Sequence, residues 1–595
     1  MIIKIYFINF VLMVLLILLG FRIFFIKKNF GNEYEKRVIK QQSNCTFDSI
    51  VQAKRGVIFD RNKKILVSSN IVYDLVLDIK NLSREKKESI DIILSELKKA
   101  LDLKDKDINK LLDHNEDNKL INDTNYYLLK KRISRSKKNY LEDKKLKYVY
   151  FEEYCERNYM YDNLSPQVIG FSHGQNLYGI EKEYDKELTG VNGRIFKSFD
   201  IKKNLNIKNS GPRDGYNLIT TLDIDIQNFS QEIINSAGEK YNAEYAGVIV
   251  MDPKTGEIIS MAQYPSTNLS DPSNLDNLTS KNLKDKLLNL NKKDKLKKLF
   301  DIWTNFNISK TFEPGSIFKP IVVATALDQN IIDDNFISNC AGNIDIADKK
   351  IHCWKRNGHG NLDVIHILAN SCNIGMINII NKLGNEQFYK YQRDFGYGDK
   401  TSIDLPDEQS AKKLIYNLNK LNSVELATCS MGQGFNNTPM QALNAFAAVI
   451  NGGNLIKPHI VSQITDSDGN IVDTKTKDVM RKVISKKTSD FMREILKIVI
   501  TNGTGSAAFI NGYDIGGKTG TAQQGNRDKK IFTYSFVGYL TVENPEYVSI
   551  VVIYKPENKE NISAASITKN IFEKIIEYKK IDNHRNCEDN NKRQI

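Results

Sequence analysis

The chain is predicted to be an α+β protein with three parts: an N-terminal transmembrane helix, an elongated N-terminal module, and a larger module built on a central antiparallel sheet flanked by helices. Three observations predict this. Ile5 to Phe21 is an apolar run without a charged residue. Short apolar runs separated by turn residues recur between positions 217 and 262 and between 514 and 553, the pattern of antiparallel strands. Ile567 to Tyr578 then reads as an amphipathic closing helix. At 595 residues the chain exceeds one ordinary domain. The expected boundaries are an anchor at 1–27, an N-terminal module at 28–215, a second module at 216–580 and a polar tail at 581–595.

The anchor comes first. A bilayer needs about 20 mostly apolar residues, and Arg22 can snorkel to the headgroups. The run exceeds the roughly 7–15 residues of a signal-peptide core and no A-x-A site follows, so an uncleaved anchor is expected. Lys4 on one side and Lys27 and Lys28 on the other leave its orientation open. Residues 28–50 read as a stalk. Lys64 to Val67 reads as a strand, residues 80–150 as a peripheral, helix-rich excursion, and the Gly-rich stretch from Ile169 to Gly193 as strands and turns. In the second module, a strand at Asn217–Leu222 opens into a helix near Asp223. Ala246–Met251 and Glu257–Ala262 form a hairpin around the Asp252–Gly256 turn, and Tyr534–Gly538 and Val548–Ile553 add two strands.

Hydrophobic content of 41% with 26% charged residues describes a protein able to bury a full core. The formal charge of +13 invites a nucleic-acid reading. Lys and Asn are scattered rather than gathered on a stripe, however, and no nucleic-acid-binding signature appears. Attraction to an anionic membrane or wall polymer fits the charge better. Seven cysteines are too few for a disulfide scaffold and no C-x-x-C is present. Cys340, His352, Cys353 and His359 cluster enough to raise zinc, but the close cysteine pairs of structural zinc sites are missing. Ordinary loop cysteines are the first reading, a Cys340–Cys353 disulfide the second and a metal the last, so no metal is assigned.

Three motifs carry chemistry: Ser316-Ile317-Phe318-Lys319, Ser371-Cys372-Asn373 and Lys518-Thr519-Gly520. They supply a serine nucleophile, a lysine one turn away, a second polar pair and a strand-borne cation, the parts of a serine acyltransferase that attacks an amide. Each motif has decoys. Ser83-Lys86, Ser95-Lys98 and Ser134-Lys137 also fit S-x-x-K, and Lys254-Thr255-Gly256 is a second K-T-G. Context separates them. Glu313-Pro314-Gly315 halts the chain before Ser316, which places the serine at a helix N-terminus with Lys319 at i+3. The decoy serines lie in charged helical stretches, and Lys254 lies in a turn between apolar runs.

Serine needs a base within hydrogen-bond reach. No His lies near Ser316 in sequence, so Lys319 is the nearer candidate, provided that burial and the second cation Lys518 lower its pKa, and a triad His from a distant part of the chain stays open. Ser371 and Asn373 would relay the proton and hold a substrate amide. Thr519, Gly520 and Thr521 would let a substrate lie along the strand edge, with Lys518, Thr519 and Thr521 on its carboxylate. The backbone N–H groups of Ser316 and Thr521 would form an oxyanion hole.

At these residues the chain resembles the class B penicillin-binding proteins, monofunctional peptidoglycan D,D-transpeptidases. RGVIFDRN, Gly179-Ile180-Glu181 and Leu188-Thr189-Gly190 resemble the pedestal (dimerisation-type) domain, and EPGSIFKP, SCN and GGKTGTAQ the transpeptidase domain. Ile317 stands where Thr is commoner, and Ser506 replaces a frequent Lys. The resemblance implies acylation of Ser316 by stem peptides or β-lactam antibiotics and no cofactor. It also implies a catalytic module outside the cytoplasmic membrane and a membrane glycosyltransferase as partner. Cys340 and Cys353 resemble a redox-sensitive pair in the sporulation-specific enzyme of spore-cortex synthesis, which would add a thiol–disulfide oxidoreductase. The tail does not read as the β-rich repeats that some such enzymes carry, so division and elongation roles stay open. Two other readings remain: a carboxypeptidase or β-lactamase, in which water resolves the acyl-enzyme, and a non-catalytic penicillin-binding receptor or scaffold.

Overall fold

The structure is a computed structural model describing residues 12–22, 25, 47–103, 126–173, 176–199, 205–524 and 530–582. Residues 12–22 are helical and exposed. Among the described residues no helix is long and apolar enough to cross a membrane. Most of the expected anchor, and the tail beyond residue 582, lie outside the described residues.

The larger module is built on five antiparallel strands: β1 (Ala243–Met251), β2 (Ile258–Tyr264), β3 (Ile515–Gln523), β4 (Phe532–Leu540) and β5 (Tyr547–Pro556), in the order β2-β1-β5-β4-β3. Side chains alternate across a strand, so each apolar run divides between two cores. Val248, Val250, Phe536, Val551 and Ile553 face one cluster with Ile226 and Ile234 of α1 (Ile224–Lys240) and Ile571 and Phe572 of α6 (Ala564–Lys579). Ile249, Met251, Val537, Ile550 and Val552 join the other, beneath α2 (Lys319–Asp328), α3 (Asn373–Leu383), α4 (Pro439–Ile450) and α5 (Lys486–Thr501). Burial on both faces explains why these strands read as continuous apolar runs. Helix α1 starts where the sequence places it, because Asp223 accepts hydrogen bonds from the Asp225 and Ile226 N–H groups.

The N-terminal module departs from expectation. The short strand at Lys64–Val67 is the start of a long one, Ile65–Leu77, paired with Tyr127–Ile133 and Val149–Tyr159. The stretch expected to be helix-rich therefore holds sheet as well. Its helix Lys87–Leu101 buries Ile93, Leu94, Leu97 and Leu101 against Tyr73, Leu75 and Leu77. The Gly-rich stretch folds mainly into short helical turns, Pro166–Ile169, Gly179–Glu183 and Asp185–Leu188. Its motif residues are structural. Glu181, buried, accepts from Arg55 Nε at 2.6 Å and from Arg157 Nε at 2.8 Å. The strand Asn217–Thr220 pairs with Ile58–Phe59 on one side and Val461–Thr465 on the other, so one sheet spans both modules.

Candidate active site

Ser316 sits in a single 3-10 turn, Gly315–Phe318, that runs directly into α2 at Lys319. The helix starts three residues later than the sequence implies, and residues three apart eclipse in a 3-10 turn. Ser316 and Lys319 thus share one edge of the chain. Helix α2 is buried from Lys319 through Ala326, so the lysine enters the protein interior at its first residue. Ser316 itself is half-buried.

Lys319 is fully buried, and its ammonium makes three hydrogen bonds to the second motif: to the Ser371 carbonyl oxygen (2.8 Å), Ser371 Oγ (3.1 Å) and Asn373 Oδ1 (2.7 Å). These match the three donors of a lysine. Ser371 offers both its oxygens because its backbone is left-handed, with φ +51°. Such strain in a non-glycine residue is held only where the surroundings over-determine it. Asn373 begins α3, and Cys372 caps that helix by accepting from the Gly375 N–H at 3.4 Å.

Among the described residues, strand β3 is the edge strand of the sheet. It passes against the Ser316 turn at Gly520, where a Cβ would meet Ile317 Cγ2 at 2.9 Å and the Pro314 carbonyl oxygen at 3.0 Å. Any side chain there would push the turn off the strand. Alternation puts Lys518 on the same face as Gly520, with Thr519 half-buried and Thr521 exposed on the other. Lys518 Nζ donates to Thr504 Oγ1 (3.4 Å) and to the Thr519 carbonyl oxygen (3.3 Å), while Thr519 Oγ1 also donates to Thr504 Oγ1 (3.4 Å). Thr504 was missed by the sequence reading; its only sequence signal is the Gly503-Thr504-Gly505 break after α5.

Burial pulls Lys319 down to about 8. Burial also holds Lys518 well below the ordinary lysine range, and the neighbouring Lys319 charge lowers it further. The two ammonium groups repel each other in one desolvated site, and the proton is better held by Lys319, which has three acceptors at 2.7, 2.8 and 3.1 Å against two at 3.3 and 3.4 Å for Lys518.

Of the residues named from sequence, Lys319, Ser371 and Asn373 are directly hydrogen-bonded, and Ser316, Lys518, Thr519, Gly520 and Thr521 line the same junction of turn and strand. The S-x-x-K decoys at Ser83, Ser95 and Ser134 are exposed in the N-terminal module. Cys340 and Cys353 are buried free thiols. They lie with Cys372 and His359, whereas His352 is exposed.

Residues 246–577 match the family described as "Penicillin binding protein transpeptidase domain", and residues 50–220 match "Penicillin-binding Protein dimerisation domain". Among curated relatives, Stage V sporulation protein D of Bacillus subtilis is 31% identical over 460 residues, 74% of this chain and 67% of that protein. A peptidoglycan D,D-transpeptidase FtsI homolog of Mesostigma viride is 29% identical over 565 residues, 89% and 88% of the two chains. Among solved structures, Penicillin Binding Protein 2X of Streptococcus thermophilus superposes with a TM-score of 0.72 at 23% identity, covering 89% of this chain and 80% of that one. The chain belongs to the class B penicillin-binding proteins, the peptidoglycan D,D-transpeptidase family.

Proposed function

We propose that the protein cross-links peptidoglycan through an acyl-enzyme on Ser316, and that β-lactams acylate the same serine. The observation that carries this reading is Lys319: a buried lysine, fixed by Ser371 and Asn373, one 3-10 turn from Ser316. A stem peptide lies along the open edge of β3 as an added strand, its terminal carboxylate at Lys518, Thr519 and Thr521. The carboxylate favours a charged Lys518, so the proton shared by the two lysines moves to Lys518 and Lys319 is left neutral. Neutral Lys319 takes the Ser316 proton. Ser316 Oγ attacks the D-Ala-D-Ala carbonyl, and the backbone N–H groups of Ser316 and Thr521 stabilise the oxyanion. Ser371 Oγ, bonded to Lys319, passes the proton to the leaving D-Ala amine. A neighbouring strand's amine then takes the acyl group, and Ser316 regains its proton.

The similarity to a stage V sporulation protein supports a role in the spore cortex, and that to FtsI-type proteins supports division. We place the sporulation role first on the higher identity of the stage V relative. The apolar run Ile5–Phe21 supports a single-pass anchor with the catalytic module outside the cytoplasmic membrane, beside the glycosyltransferase that supplies glycan strands.

Labelling with a fluorescent penicillin tests the assignment: wild type is marked and Ser316→Ala is blank. Equal labelling of both overturns it. Products from a stem peptide with an acceptor amine then separate transfer from hydrolysis, cross-linked peptide being expected and free D-Ala without cross-links refuting transfer.

A further inference from the structure

The region between α2 and α3 carries a feature the transpeptidase reading does not use. Residues 337–363 form two small hairpins: Ile337–Cys340 pairs with Gly360–Asp363, and Asn343–Ile346 pairs with Lys349–His352. The only apolar side chains fully buried in this segment are Cys340 and Cys353. A hairpin pair without an apolar core is not stable alone in water. Ile344, Ile346, Ile351 and Leu362 are half-buried against the main core, and the segment's fully buried apolar groups are its two thiols.

Four ligating atoms converge at its base. Cys340 Sγ lies 3.5 Å from His359 Nδ1, Cys353 Sγ lies 3.6 Å from the same nitrogen, and Cys353 Sγ lies 4.0 Å from Cys372 Sγ. All four atoms are within 4.8 Å of one another. Tetrahedral zinc with Zn–S near 2.3 Å and Zn–N near 2.0–2.1 Å has S···S edges of about 3.8 Å and S···N edges of about 3.5 Å. These three separations match those edges, and the remaining three lie within 4.8 Å. A disulfide would engage only two of the four groups.

The backbone is built around the same point. Cys340 ends one strand, Cys353 follows another, and His359 precedes a third. The His359 N–H donates to the Cys340 carbonyl oxygen at 2.9 Å and the Cys353 N–H to the Gly342 carbonyl oxygen at 2.9 Å. Gly358, at φ +77°, lets the chain pass Cys340: a Cβ there would lie 2.1 Å from the Cys340 carbonyl oxygen. Trp354 packs edge-on against His359, with ring centroids 5.3 Å apart, and its Nε1 donates to the Asn370 carbonyl oxygen at 2.9 Å. His359 Nε2 is buried with no protein partner among the described residues, so the ring is placed by what its Nδ1 faces.

We propose that Cys340, Cys353, His359 and Cys372 form a structural Cys₃His zinc site that clamps the double hairpin to the start of α3. Zinc binding releases the three thiol protons to solvent and involves no change of oxidation state. Because Cys372 lies between Ser371 and Asn373, the metal fixes the two residues that hold Lys319. This positioning role, unlike the metal site itself, rests on the transpeptidase reading.

The test uses the full-length protein purified in detergent with reductant. Metal analysis should find one zinc per chain, and cobalt(II) should give the intense visible bands of tetrahedral thiolate coordination. Cys340→Ser, Cys353→Ser and His359→Ala should each lose at least nine-tenths of the metal, while His359→Cys and Cys155→Ser keep it. Wild-type protein that carries no zinc and fails to take up added zinc or cobalt overturns the site, as does full retention in the three ligand variants. Removing zinc from wild type with a chelator, which needs no variant to fold, should slow labelling by fluorescent penicillin at least tenfold and restore on re-addition. Zinc bound but labelling unchanged by its removal refutes the positioning role and leaves both the metal site and the acylation of Ser316 standing.

Discussion

Raising the pH through 8 should slow the acylation of Ser316 by an anionic β-lactam. Lys319 is fully buried with its pKa pulled down to about 8, and burial with the Lys319 charge beside it holds Lys518 well below the ordinary lysine range. Mutual repulsion leaves the pair one proton, held by the better hydrogen-bonded Lys319 and lost above about 8; the titration belongs to the pair. In the resting site the proton is on Lys319, where it blocks the base. A carboxylate about 4 Å from Lys518 at an effective dielectric near 20 contributes about 4 kcal/mol, or about 3 pK units, toward charging Lys518. That is enough to draw the proton across and free Lys319 for catalysis. Above pH 8 the free enzyme has no proton to hand to Lys518, so kcat/KM for labelling should fall about tenfold per pH unit from roughly pH 8.5 to 9.5 and stay nearly flat from roughly pH 6 to 7. Second-order labelling rates with a fluorescent penicillin at constant ionic strength, with circular dichroism to confirm folding at each pH, provide the measurement. A rate that climbs tenfold per unit up to pH 8 and then levels would refute the shared proton, because it would show that Lys319 simply loses its own proton before substrate arrives.

Two further predictions separate catalytic from structural residues. Asn373→Ala removes a 2.7 Å bond to the Lys319 ammonium; a hydrogen bond to a charged group is worth about 1.5–3 kcal/mol, so labelling should slow by about 10- to 100-fold, and a rate within twofold of wild type would show that Asn373 does not hold the base. Glu181→Ala strips one carboxylate from between Arg55 and Arg157, and breaking a buried ion pair costs about 3–5 kcal/mol. The variant should lower the denaturation midpoint of the N-terminal module while penicillin labelling at low temperature stays within twofold; a parallel loss of labelling would place Glu181 in communication with the active site.

The central sheet was legible because its strands are buried on both faces and so leave uninterrupted apolar runs, as in Val548–Ile553. The Ser316 site was legible for a different reason: Pro314 and Gly315 mark the break that turns Ser316 and Lys319 into neighbours, and none of the S-x-x-K decoys has such a break. The N-terminal module was read less well. Val149–Tyr159 carries Glu152, Glu153, Glu156 and Arg157, so a half-exposed strand showed no apolar signal, and its pairing with Ile65–Leu77 depends on residues more than seventy positions away. Thr504 was hidden because a loop threonine carries no pattern until the strand it supports is in place.

The cysteines show where one-dimensional spacing fails outright. A zinc site in a single knuckle reveals itself by a close pair of cysteines, and this sequence has none, so a metal ranked last. The fold supplies what the spacing lacks. Two hairpins bring Cys340, Cys353 and His359 to one point, and the fourth ligand comes from Cys372, already claimed by a catalytic motif. His352, adjacent to Cys353 and the natural guess from sequence, is exposed instead, because the strand Lys349–His352 ends there and alternation turns neighbours to opposite faces. The same residue thus reads as the middle of S-C-N along the chain and as a ligand in space. Because its backbone neighbours are the two residues that grip Lys319, a ligand lost at Cys372 cannot be absorbed locally: Ser371, already at φ +51°, has no slack through which to keep both of its oxygens on the lysine. Coupling of the metal to catalysis therefore follows from chain connectivity, without any contact between the metal and the substrate.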